Sequence, residues 1–153
     1  MKLEHYFKIK GTYELKNGVY NVKGDLDLIK QVEKLPVKFG IVTGNFDCHS
    51  NNLTSLEGAP KKVGGEFWCD YNNLTSLEGA PKQVGGYFDC CNNNLTSLEG
   101  CPKYIGSDFW CYKNNLTSLK GCPIKIGGDL ICDDNLYNTK EFKLHLIMKE
   151  LKK

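Results

Sequence analysis

Eight cysteines are the residues best equipped for chemistry in this chain, and their spacing limits what that chemistry can be. Five of them, Cys48, Cys69, Cys90, Cys111 and Cys132, recur every 21 residues. Thiols can close disulfides, hold a soft metal or act as nucleophiles once ionised. An odd column in one register cannot pair within itself, and a zinc site needs cysteine or histidine pairs at close spacing. There is no Cys-x-x-Cys, and His5, His49 and His145 are scattered. The column is therefore expected to be reduced and buried, each thiol serving as a small apolar side chain. Cys101 and Cys122 stand where earlier units have Ala59 and Ala80, a second small buried slot. Cys91 has the opposite strand offset and is expected to be the exposed thiol. No phosphate-binding loop, nucleophile elbow or other catalytic word is present, and no strong base or nucleophile converges with the acids. Neither an enzymatic activity nor a cofactor is expected.

The elements that position these cysteines repeat with them. Two residues before each column cysteine comes Phe46, Phe67, Phe88, Phe109 or Leu130, and three residues after it Asn51, Asn72, Asn93, Asn114 or Asn135. The word Leu-Thr-Ser-Leu follows in four units, opening at Leu53, Leu74, Leu95 and Leu116. The remainder reads as turn chemistry: Gly58, Gly79, Gly100 and Gly121, each with a proline two residues later, then Val63, Val84, Ile105 and Ile126, each followed by glycine. A period near 20 with apolar residues at fixed offsets means a solenoid. Each unit is expected to carry a short strand through its cysteine, with Phe67 and Cys69 inward and Glu66, Trp68 and Asp70 outward, stacked as a parallel sheet. The asparagines are expected to satisfy backbone groups where the chain leaves the strand.

Written as apolar-x-apolar-x-x-Asn-x-Leu-x-x-Leu, with Phe67, Cys69, Asn72, Leu74 and Leu77 filling the pattern, the unit resembles the leucine-rich repeat. It is especially similar to short bacterial copies in bacteriophage proteins with Asn-Leu-Thr-Ser-Leu-Glu-Gly words. The resemblance covers roughly residues 22–137 and implies a repeat solenoid of about six coils. It also implies a non-enzymatic protein-binding role, directed in a phage protein at a host enzyme or defence factor in the bacterial cytoplasm. Fold resemblance alone does not fix function.

One domain is expected, with an N-terminal β cap over 1–23, repeats over 24–137 and a C-terminal helix over 138–153. Tyr13 and Leu15, then Asn17-Gly18, then Tyr20 and Val22 read as a β-hairpin. Gly24 to Leu28 opens a degenerate first coil with Leu28 in the cysteine slot, and Val32 and Leu35 replace its two leucines. Asn138 and Glu141 have capping-box spacing. Phe142, Leu144, Leu146, Ile147, Met148 and Leu151 give the helix an apolar face to cover the last coil, with Lys149, Lys152 and Lys153 at its C-terminal end. Met1 to Lys10 holds no apolar run and no segment is long enough to span a membrane, so a cytoplasmic protein is expected. The Asn-Leu-Thr triplets at Asn52, Asn73, Asn94 and Asn115 are then not glycosylated.

Net charge is +2 with a pI of about 8.0, but the charges are sorted. The outward strand columns hold Glu66, Asp70, Asp89, Asp108 and Asp129, interleaved with Trp68, Tyr87, Trp110 and Tyr112. Lys61, Lys62, Lys82, Lys103, Lys120 and Lys125 fall in the return segments. Tryptophan and tyrosine dominate binding hot spots, and solenoids bind through extended surfaces. The acidic and aromatic face is therefore expected to bind a protein partner with a basic surface. Nucleic acid through the lysine-rich back is a rival reading, disfavoured by the carboxylates, and a structural or assembly role is another. A homo-oligomer is compatible with the pattern, since two solenoid ends or two sheet faces can meet.

Overall fold

The computed structural model describes residues 2–151. A hairpin opens the fold. β1 (Phe7–Lys16) and β2 (Val19–Leu28) pair antiparallel over their full length, from Phe7↔Leu28 to Lys16↔Val19. Asn17 and Gly18 turn the chain with φ of 52° and 74°, the positive values a type I′ turn requires. β2 is longer than the expected cap. Its first half pairs parallel with β3 (Lys38–Val42) and its second half with β4 (Phe46–Asp47), so hairpin and solenoid share one strand. Leu26 lies in register with Phe46, and Leu28 is buried in the slot of the first cysteine, as expected.

Beyond β4 the chain is a parallel β-solenoid in which every turn contributes two short strands. One column stacks β4, β6 (Phe67–Trp68), β8 (Phe88–Asp89), β10 (Phe109–Trp110) and β12 (Leu130–Ile131). The other stacks β3, β5 (Lys62–Val63), β7 (Gln83–Val84), β9 (Tyr104–Ile105) and β11 (Lys125–Ile126). All join in one 12-stranded sheet. There are five two-stranded turns rather than about six coils, because the degenerate first coil is supplied by β2. The second column corrects the reading of Val63, Val84, Ile105 and Ile126 as turn chemistry. It also places Lys62 and Lys125 on strands, not in return loops.

Glycine, paired at Gly64-Gly65, Gly85-Gly86 and Gly127-Gly128 and single at Gly106, lets the chain pass from one column to the other. A Cβ on Gly85 would lie 2.0 Å from the carbonyl oxygen of Gly64 in the preceding turn, so successive turns stack backbone on backbone at this corner. The interior is a set of ladders. Phe46, Phe67, Phe88 and Phe109 are fully buried, with successive ring centroids 5.2, 5.3 and 5.7 Å apart. Burying each such side chain contributes about 1.5–3 kcal/mol. The thiols of Cys48 and Cys69 donate to the carbonyls of Trp68 and Asp89 one turn on, at 3.2 and 3.3 Å. All eight cysteines are free.

The expected asparagine ladder forms in full at Asn72, Asn93 and Asn114, whereas Asn135 is exposed and donates instead to the carbonyl of Leu116. Asn72 Nδ2 donates to the carbonyls of Cys48, Cys69 and Asp70, while its Oδ1 accepts from Leu53 N at 2.9 Å. Asn93 and Asn114 repeat the pattern. Among the described residues Asn51 Oδ1 is buried without a partner.

The C-terminal helix α1 (Lys140–Glu150) starts one residue later than its capping signal. Thr139, not Asn138, is the N-cap, accepting from Phe142 N at 3.3 Å, which places Phe142 rather than Glu141 at the third helical position. Phe142 packs against the core, but α1 has no buried residue, and Leu144, Leu146, Ile147, Met148 and Leu151 are exposed. The helix covers the last turn only partially. Lys152 and Lys153 lie outside the described residues.

Candidate protein-binding face

The outward side chains of the first column build the candidate site. Strand pairing puts Asp47, Trp68, Asp89, Trp110 and Ile131 in one row, each opposite the next. Tyr87 bridges the two tryptophans from the neighbouring row. It meets Trp68 edge-on at 5.4 Å and stacks on Trp110 at 5.6 Å with 13° between the rings. Trp68, Tyr87 and Trp110 are thus a continuous, half-buried aromatic ladder. Such contacts contribute about 0.5–1.5 kcal/mol each beyond area burial. Tyr112 is half-buried nearby, with Lys113 Nζ 6.0 Å from its ring centre.

The carboxylates differ in how free they are. Asp89, between the tryptophans, is only 7% exposed and accepts from Cys91 N at 2.9 Å. Burial raises its carboxyl above the usual range, offset in part by that amide. Asp70 is partly covered, and burial, then the charge of Asp89, pushes its carboxyl up to about 6. Asp108 Oδ1 accepts Asp129 N at 2.8 Å, a turn-to-turn brace like that of Asn45 Oδ1 on Glu66 N at 2.9 Å. Asp129 is also ion-paired to Lys149 of α1, which holds its carboxyl below the usual range. Glu66 is half-buried beside Tyr87. The nine expected residues therefore share one surface. Trp68, Tyr87, Trp110, Asp70 and Asp89 cluster at its centre, Glu66 and Tyr112 adjoin them, and Asp108 and Asp129 lie toward α1.

Two further residues, His49 and Tyr71, enlarge the face. His49 Nδ1 lies 2.6 Å from Asp47 Oδ1. Burial opposes charging this imidazole, but the bond to Asp47 and the surrounding carboxylates hold it above its ordinary value. Tyr71 is 57% exposed, with φ of 50°. It sits in a column with Ser50, Asn92 and Lys113, all in the left-handed region just past the strand. Its place two residues after a cysteine was the available signal, since the recurrent turn there lifts the side chain into solvent. Cys91 is the clear correction. It is 1% exposed, beside Asp89 and Tyr112, and burial drives its thiol far above the ordinary range.

Among the described residues no group of three or more histidine, cysteine or carboxylate side chains is arranged to hold a metal ion. None of the described helices is long and apolar enough to cross a membrane. Comparison with protein-family models, with curated proteins and with solved structures returned no match for this chain.

Proposed function

We propose that this chain is a non-enzymatic protein-binding module whose acidic and aromatic first-column face takes a protein partner with a basic surface. The observation that carries the reading is the Trp68–Tyr87–Trp110 ladder, held at fixed geometry on a rigid sheet and bordered by Asp47, Asp70 and Asp89. Preorganised aromatics lose little freedom on binding and supply hot-spot affinity. The carboxylates supply steering and partner choice, so binding weakens with salt. The likeness to short phage repeats extends the reading to a bacterial enzyme or defence factor whose basic surface otherwise receives nucleic acid. The test is capture of a stoichiometric partner from bacterial lysate, followed by calorimetry with Trp68→Ala/Trp110→Ala and with Lys61→Ala/Lys82→Ala/Lys103→Ala. The tryptophan pair should weaken binding at least thirtyfold, the lysine set little. The opposite result moves the functional surface to the second column.

A further inference from the structure

The hairpin leaves a backbone edge with no partner. Among the described residues β1 pairs only with β2, so one side of a ten-residue strand, about 33 Å long, is open. In an antiparallel pair, alternate residues exchange bonds with the partner and the others point away. On β2 the residues that point away from β1 are Val22, Gly24 and Leu26, bonded to Thr43, Gly44 and Asn45. Their counterparts across the hairpin are Tyr13, Gly11 and Ile9, so these present their amides and carbonyls at the open edge. The side chains there are also unfinished. Leu15 is 56% exposed, Tyr13 is 42% exposed with only its hydroxyl engaged, donating to Glu4 Oε1 at 2.7 Å, and neither Lys8 nor Glu14 has an ion-pair partner among the described residues.

We propose that β1 is a self-pairing edge, joining two copies of this chain about a two-fold axis at Gly11 into one continuous antiparallel sheet. The register follows from the sequence of the strand. With Gly11 opposite Gly11, the residues whose backbone groups point out pair with one another: Ile9 with the second copy's Tyr13, and Phe7, its side chain buried, with Leu15 through backbone alone. In the same register Lys8 faces the second copy's Glu14, and Lys10 its Thr12, twice each by symmetry. Moving the axis to Thr12 keeps one attractive pair, Lys10 against the second copy's Glu14, but adds the repulsive pair Lys8 against Lys16, twice each by symmetry. Like charges directly opposite are unfavourable and opposite charges favourable, so one register is selected. Lysines on an edge strand normally repel incoming chains. Here they repel any strand without a glutamate in the matching place, and a second copy has one. The first-column faces remain open in such a dimer, two per assembly.

The experiment is sedimentation velocity on the full chain over a concentration series from micromolar to hundreds of micromolar, with circular-dichroism melts as a folding control. The wild type should show a monomer–dimer equilibrium. Glu14→Lys should raise the dimer Kd about tenfold or more, and Lys8→Glu with Glu14→Lys should restore it, because the swap is again self-complementary. Tyr13→Pro should abolish the dimer, since the amide it removes points out of the monomer and edge strands accept proline. If that variant does not fold, the charge swap still decides. A wild type that stays monomeric throughout, a Glu14→Lys dimer as tight as wild type, or a charge swap that fails to restore association overturns the proposal.

Discussion

Asn93 satisfies four backbone groups with one amide: its Nδ2 donates to the carbonyls of Cys69, Cys90 and Cys91, and its Oδ1 accepts Leu74 N. Asn93→Ala should cost on the order of 1–3 kcal/mol, against about 2–5 kcal/mol for Leu95→Ala. Asn51→Ala should cost less than Asn93→Ala, because Asn51 Oδ1 has no partner to lose. Thermal melts of the three variants check this ranking. Lys113 has φ of 53°, so Lys113→Gly relieves backbone strain and should stabilise by about 1 kcal/mol, a small rise in Tm. Thiol titration of the native protein should find slow, sparse reaction, led by the partly exposed Cys122, whose thiol burial pushes up to about 12, and not by Cys91. The inward cysteines and the asparagines were legible because a strict 21-residue register allows each only one place. Cys91 was not. Strand alternation stops at Asp89, where the strand ends, and the Asp89–Cys91 turn folds the thiol under Tyr112.

At the scale of elements, the first strand column and the hairpin could be read from apolar spacing and from Asn17-Gly18. The second column could not. From β5 onward its strands are two residues long and run straight into glycine, so locally they look like a turn, and only stacking on the next turn makes them a sheet. The corner should therefore be intolerant. Gly85→Ala drives a Cβ into the Gly64 carbonyl and should destabilise more than Asn93→Ala, read by the same melts. The helix was legible as a helix but not as a partial cover. Its start moves to Thr139, whose hydroxyl is better placed for Phe142 N, and its leucines stay in solvent. Few buried contacts hold it, so its amides should exchange with solvent fastest among the regular elements, well ahead of β6 and β8, in a hydrogen-exchange experiment.

At the scale of the molecule, one repeat pitch makes a rigid surface out of short words. Each turn places one residue per row, so the aromatics at Trp68, Tyr87 and Trp110 become neighbours despite being about twenty residues apart in sequence. The columns could be written from the sequence, but not the burial of Asp89 or the ring geometry, which depend on side-chain packing across turns. The face also responds to pH. Asp70 titrates near 6 and His49 above its ordinary value, so as pH rises through about 6 and then through the range where His49 deprotonates, the face gains a negative charge and loses a positive one. Binding to a basic partner should strengthen over that interval. Folding responds in the opposite sense for Asp70. A carboxyl raised in the folded state contributes stability that is fully present below its ordinary value and is lost as pH rises through about 6. Asp70→Asn should therefore raise Tm relative to wild type at alkaline pH and leave it little changed in acid. The most direct measurement is parallel capture from one bacterial lysate with wild type, Trp68→Ala/Trp110→Ala and Lys61→Ala/Lys82→Ala/Lys103→Ala, all confirmed folded. Wild type and the lysine variant should retain the same basic protein in stoichiometric amount, and the tryptophan variant should lose it. Retention by the tryptophan variant with loss by the lysine variant would contradict the account.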